Sequence, residues 1–130
     1  MARTVEDLLV YQKALEAAHL VADVLHKPSF QKHWELGGQI NRDSIRVASD
    51  ISEGFEQKTD RHFARYLYDS RGGTREIRTQ FDLALKRQAI TAADCEELSG
   101  RYAEIARMLS GLIQHLERED RKNRRNPDHE

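Results

Sequence analysis

The sequence is short of the residues that clamp or break a chain. It has a single cysteine, Cys95, in 130 residues. That excludes an intrachain disulfide framework and any cysteine-built zinc site, and it suits a reducing cytosol. Two prolines and seven glycines are too few punctuators for a turn-rich sandwich or barrel. No apolar run approaches the ~18 residues of a membrane-spanning helix. The opening Met1-Ala2-Arg3-Thr4-Val5-Glu6-Asp7 turns acidic too early for a secretion signal. Charge of one sign is missing too: 21 Lys+Arg stand against 22 Asp+Glu, for a net charge of -1. This removes the simplest argument for a nucleic-acid partner, which rests on a clearly basic domain. No long stretch alternates with period two, and no repeat of solenoid length stands out. What is present is 33% charged and 38% hydrophobic sequence, the composition of long amphipathic helices in one cytoplasmic, all-α domain.

The apolar pattern divides the chain into four helical segments, at about residues 5–26, 33–53, 60–87 and 91–120, within a domain of residues 1–120. In the first, Leu8, Tyr11, Leu15, Ala18, Ala22 and Leu25 repeat at 3 and 4, which predicts a core-facing stripe. Thr4 and Asp7 form a capping pair at its start, and Lys27 before Pro28 ends it. The short loop Pro28 to Gln31 leads to the second stripe, Ile40, Ser44, Val47 and Ile51, with Gly54 placed as the C-terminal cap. The third opens at Thr59-Asp60 and carries Phe63, Leu67, Ser70, Thr74, Ile77, Phe81 and Ala84. The fourth opens at Thr91, with Asp94 three residues on, and carries Leu98, Tyr102, Ile105, Leu109, Leu112 and Leu116. Four such helices joined by short links predict an antiparallel up-down-up-down four-helix bundle. The polar residues 121–130 read as a mobile C-terminal tail.

Three surfaces are candidates for function. The first segment has a second stripe, Val10, Ala14, Ala17, Val21 and Val24. It marks either deep burial of this helix in its own bundle or a subunit interface, which is the reading favoured here. The second segment has a polar ladder, Gln39, Arg42, Arg46, Asp50 and Glu53. This is either a solvated face with weak ion pairs or a polar seam inside the bundle or between subunits. The third segment places Arg61, Arg65, Arg71, Arg75 and Arg78 on one arc away from its apolar stripe, and Arg118, Arg121, Lys122, Arg124 and Arg125 cluster near the C-terminus. Such strips suit phosphate contact, although an ordinary arginine-rich solvent face has the same pattern. No aromatic interleaving suggests base stacking.

Metal and catalytic readings find little. Glu16 and His19 have Glu-x-x-His spacing, and Asp23 and His26 repeat it, but both lie on one helix, whereas a di-metal bundle needs the motif on two. Cys95 sits among Asp94, Glu96 and Glu97, which oppose thiolate formation. Gly72-Gly73 keeps the apolar stripe in phase and reads as a point of close helix approach, where Gly72→Leu is expected to break the bundle or its assembly. No enzyme activity, metal or cofactor is expected.

The stretch from Gln39 to Gly54, Gln-Ile-Asn-Arg-Asp-Ser-Ile-Arg-Val-Ala-Ser-Asp-Ile-Ser-Glu-Gly, resembles the central signature of the 23S ribosomal RNA intervening-sequence family of four-helix-bundle proteins. Asp7 to Ala14 and Phe63 to Glu76 are similar to two further family motifs, in the right order, so the resemblance covers about residues 5–116. Tyr11, Arg46, Asp50 and Gly73 depart from the family pattern, and Arg46 with Asp50 reads as a paired replacement. The resemblance implies a homopentamer without enzymatic activity. It also implies a relation to the accessory variability proteins of diversity-generating retroelements, which are thought to bind RNA or DNA. The expected function is therefore a non-enzymatic oligomeric scaffold with RNA or DNA as first partner. The alternative is a protein–protein adaptor.

Overall fold

Thr4 and Asp7 do meet at the start of the chain, but around a single 3-10 turn, Val5–Asp7, and not at the start of the first long helix. The Asp7 carboxylate accepts the backbone N–H groups of Arg3 and Thr4, both at 3.1 Å, and these bonds hold its carboxyl below the usual range. Leu8 is then extended, and the helix begins one residue later. The computed structural model describes residues 2–125. All regular structure among them is helical: α1 (Leu9–Leu25), α2 (Pro28–Gln31), α3 (Trp34–Phe55), α4 (Asp60–Lys86) and α5 (Ala92–Arg125).

The expected loop Pro28 to Gln31 is one helical turn, with Pro28 at its first position, where a missing N–H costs nothing. The turn drives Phe30, 2% exposed, into the end of the bundle against Gly37. Caps set the later boundaries. The Thr59 hydroxyl accepts the His62 N–H, and the Thr91 hydroxyl accepts the Asp94 N–H. Helix α4 ends in a left-handed residue, Gln88 (φ 59°), with Gln88 N–H on Leu85 O and Ala89 N–H on Ala84 O. That is a complete Schellman closure built without glycine.

Each long helix packs on two others, α1 on α3 and α5, α3 on α4, and α4 on α5, so the four close into a ring around one core. Contacts between neighbours pair residues in opposite order. Ser70 donates to Val47 O and Gln80 to Asp43, while Phe81 O meets Cys95 and Tyr68 meets Glu117. Tyr102, Phe81, Ile40, Leu67, Ile77 and Leu109 fill the centre.

Four expectations need correcting. The two stripes of α1 exchange places: Val10, Ala14, Ala17, Val21 and Val24 are all at most 9% exposed and face the chain's own core. Leu15 of the first stripe is 48% exposed, and Ala18 and Ala22 are half-buried. Two parallel stripes on one helix have the same periodicity, so spacing alone cannot rank them. The packing of α1 on α3 and α5 decides which arc turns inward. Gly54 is not a cap but a buried residue within α3, where α4 crosses. Of the glycine pair, Gly73 is the tight one: a Cβ there would stand 3.0 Å from Val47 Cγ2, while Gly72 faces open space. Finally, α5 continues through Arg121 to Arg125, five residues past its expected end. It is carried by Lys122–Glu119 (3.4 Å) and Arg124–Asp120 (3.2 Å) pairs and by basic residues complementing the helix C-terminus. The rest of the expected tail, residues 126–130, lies outside the described residues.

Candidate nucleic-acid interface

The polar ladder of α3 is a solvent-facing strip. Gln39, Arg42, Arg46 and Glu53 are exposed, and Arg42 reaches only its own neighbour, donating to Gln39 at 3.1 Å. Arg46 and Asp50 stand 3.9 Å apart, too far for a hydrogen bond. Partial burial pushes the Asp50 carboxyl up, with Arg46 pulling against it and Asp69 and Glu53 adding to the rise. Within the single chain these five residues form no buried seam, and only Asp50 among them is half-buried. The polar contact inside the bundle is one position along: Asp43, 7% exposed, accepts from Gln80 Nε2 at 2.7 Å. Ser44, Ser70 and Thr74 are also buried, their hydroxyls closed on Asn41 O, Val47 O and Arg71 O. Close by, burial pushes the Tyr102 phenol up, against a smaller pull from the Ser44 hydroxyl. Arg42→Ala is therefore expected to change stability by less than about 0.5 kcal/mol, as a surface substitution does. Asp43→Ala is expected to cost about 1–3 kcal/mol by stranding the Gln80 amide. Urea denaturation of the two variants checks both, and equal effects would contradict this assignment.

The two basic clusters, far apart in sequence, meet. Arg61 and Arg65 from the start of α4 and Arg121 and Arg124 from the end of α5 line one cleft of about 390 Å3. They come together because consecutive helices joined by a short link return to the same end of the bundle. Glu117 and Asp120 share the cleft, and Asp120 holds Arg124 at 3.2 Å, so the four arginines outnumber its carboxylates. Lys122 and Arg125 turn to a neighbouring cleft of about 870 Å3 with Lys58, whose floor includes Phe55, Phe63 and Leu116. Phe55 and Phe63 meet edge to face there, 5.9 Å between ring centres.

The expected five-arginine strip does not stay together. Arg71 donates to Ser110 at 3.1 Å across the α4–α5 contact, and Arg78, half-buried, shares the other stretch of that contact with Arg107. Arg78 Nε is buried with no partner among the described residues. Arg75 is exposed and lines none of these clefts. An aromatic one helical turn along from Arg65 enters instead. Tyr68 forms part of the arginine cleft's wall and is 42% exposed. Its hydroxyl donates to Glu117 at 2.8 Å, which pushes the phenol up, and the Arg71 guanidinium lies over its ring, 4.9 Å from the centre. The expectation that no aromatic accompanies the basic strip is thus corrected. The i+3 and i+7 neighbours of Arg65 and Arg61 were the available signal.

Of the remaining candidates, His19 and Asp23 are exposed, and the other three make structural contacts. Glu16 accepts from Arg101 at 2.8 Å, and His26 Nδ1 lies 2.6 Å from Ala22 O. Cys95 is buried with its thiol directed to Phe81 O, and burial pushes that thiol up. No helix among the described residues is long and apolar enough to cross a membrane.

Comparison with known proteins adds two findings. A family model described as 23S rRNA-intervening sequence protein matches residues 6–111. The crystal structure of a protein of unknown function from the S23 ribosomal protein family of Bacteroides thetaiotaomicron is similar in fold, with a TM-score of 0.75 and 22% identity. The match covers 81% of this chain and 98% of that one. No curated protein matches.

Proposed function

The chain belongs to the 23S rRNA-intervening sequence protein family, and from that premise we propose that it is a non-enzymatic, cytoplasmic scaffold that binds RNA or DNA at the α4–α5 end of the bundle. The observation that carries the reading is the convergence of Arg61, Arg65, Arg121 and Arg124 on one cleft. Guanidinium groups from two helices grip phosphates from two sides, and the local excess of positive charge makes up for a neutral total. Titrating the purified chain against labelled RNA at rising ionic strength tests it. Affinity that falls steeply with salt supports the reading, and no retention at ~50 mM salt sinks it. In the latter case the molecule is better read as a protein-binding adaptor.

The bundle is taken as antiparallel, up-down-up-down, which the opposite order of helix–helix contacts supports, and it assembles as a homopentamer. With Val10, Ala14, Ala17, Val21 and Val24 inside, the face left for a partner subunit is the outer side of α1 and α3. There Leu15, Trp34 (72% exposed) and Ile45 (54% exposed) are apolar and open. A groove of about 300 Å3 between Ala22, Leu25, Phe30 and Trp34 continues that side. Leu15→Glu with Ile45→Glu should turn the assembly into monomers without loss of helicity, since each glutamate would be buried unpaired in a packed interface. Light scattering checks the mass. A wild-type monomer, or a double variant of unchanged mass, removes this face as the interface.

A further inference from the structure

The arginine cleft differs from an ordinary phosphate strip in one respect: its wall contains a fixed aromatic ring. Tyr68 is held at its hydroxyl by Glu117 at 2.8 Å and on one side of the ring by Arg71, itself tied to Ser110 at 3.1 Å. It still keeps 42% of its surface open, beside Arg61, Arg65, Arg121 and Arg124. A ring already immobilised loses little rotamer freedom when a base settles on it. The cleft holds about 390 Å3, room for one nucleotide and not for a duplex. In a duplex the bases are stacked on one another and cannot lie flat against a side chain in the wall of such a cleft. An unpaired nucleotide can offer both its π-face and its phosphates.

We propose that this cleft, resting on the nucleic-acid reading above, selects single-stranded over double-stranded nucleic acid by stacking one unpaired base on Tyr68 while the four arginines hold its flanking phosphates. Glu117 and Asp120 have a part in this selection. Two carboxylates in the cleft repel a phosphate lying deep within it, so the backbone stays at the arginine rim and the uncharged base goes inward. Glu117 also fixes the ring through the Tyr68 hydroxyl. The arginines account for affinity toward either kind of strand. Tyr68 accounts for the difference between them.

The test is fluorescence anisotropy with the full chain at ~50 mM salt, using labelled oligouridine of about 12 nucleotides and a duplex of about 12 base pairs. Wild-type protein should prefer the single strand. Tyr68→Ala should weaken the single strand by about five- to tenfold and the duplex by less than about twofold, the loss expected for one base–aromatic stack. Tyr68→Phe, which keeps the ring, should retain most of the preference. Arg61→Ala with Arg65→Ala should weaken both ligands together. The inference is overturned if wild-type protein binds duplex as well as single strand, or if Tyr68→Ala leaves the preference intact. Either result leaves the nucleic-acid reading standing. Binding to neither ligand removes that reading and this inference with it. All three side chains replaced are exposed, and far-ultraviolet circular dichroism verifies that each variant is folded.

Discussion

Gly54→Ala should destabilise the chain by about 2 kcal/mol or more, although alanine is the better helix former by about 1 kcal/mol. The cause is the crossing of α3 and α4. A Cβ on residue 54 would stand 2.8 Å from Tyr66 Cβ, 3.0 Å from Phe63 Cδ1 and 3.3 Å from Phe63 O. Two of those atoms are backbone or attached directly to it, so no rotamer change clears them and the helices themselves must separate. Separation would loosen the contacts that depend on close approach further along α3, including Ser70 to Val47 O. Gly54→Val should be worse and should abolish cooperative unfolding. The matched control is Gly72→Ala, where a new Cβ meets nothing within 4 Å. That variant should gain about 0.5–1 kcal/mol from helix propensity and lower unfolded-state entropy. Gly72→Leu, in the same open space, should leave the bundle intact. At roughly 4 °C per kcal/mol for a domain of this size, thermal unfolding should place the two alanine variants on opposite sides of the parent. A Gly54→Ala protein as stable as the parent would mean that the two helices are not in contact at this point.

Replacing Arg61, Arg65, Arg121 and Arg124 together by alanine should reduce affinity for single-stranded RNA by at least about a hundredfold at ~50 mM salt. It should also flatten the salt dependence. Each single-strand phosphate contact contributes about -0.7 to the slope of log affinity against log salt, so four lost contacts remove close to 3 from its magnitude. The fold should be little affected. Arg61, Arg65, Arg121 and Arg124 are exposed, and the Arg124–Asp120 pair is a surface pair, with a net worth of about 0–1 kcal/mol. Arg75→Ala, on the same helix but outside the cleft, and Arg42→Ala, on α3, should each change affinity by much less. If the quadruple variant keeps the parental salt slope, phosphate contact lies elsewhere. The neighbouring cleft with Lys58, Lys122 and Arg125 is then the place to examine. If neither variant nor parent binds RNA or DNA, the adaptor reading takes over.

Much of the fold is legible in the sequence because buried helical faces repeat at 3 and 4, and on α3 and α4 only one stripe of that kind exists; on α5 the expected stripe holds through Leu109, after which Ile113 and not Leu112 is buried. Ile40, Ser44, Val47 and Ile51 all fall inside, as do Leu67, Ser70, Thr74, Ile77, Phe81 and Ala84. Even the small polar members belong to the buried face, since a hydroxyl can close on a nearby backbone carbonyl and be buried at little cost. The caps at Thr59 and Thr91 are local chemistry and were readable for the same reason. Helix α1 is the exception because it has two stripes. Leu15 outranks Ala14 in hydropathy, yet Ala14 is fully buried and Leu15 is half exposed, because the packing of α1 on α3 and α5 sets which arc turns inward. That orientation is a property of neighbouring helices and is absent from the segment itself.

The site divides in the same way. Residue identity and order along the chain suffice for which residues are basic, which stripes are apolar and, through the motifs, which family the chain belongs to over most of its length. These depend on residue identity and on spacing within one helix, where the periodicity of 3.6 sets every direction. The packing of the helices sets which arginines face each other. Arg61 and Arg65 meet Arg121 and Arg124 because α4 and α5 pack along their length, while Arg71 and Arg78, on the same arc, are drawn into that packing. It also decided that Gly54 and Gly73 matter for approach and Gly72 does not, and that Tyr68 stands in the arginine cleft. Each depends on the distance between two helices, and a pattern along one helix contains no information about the surface of the next.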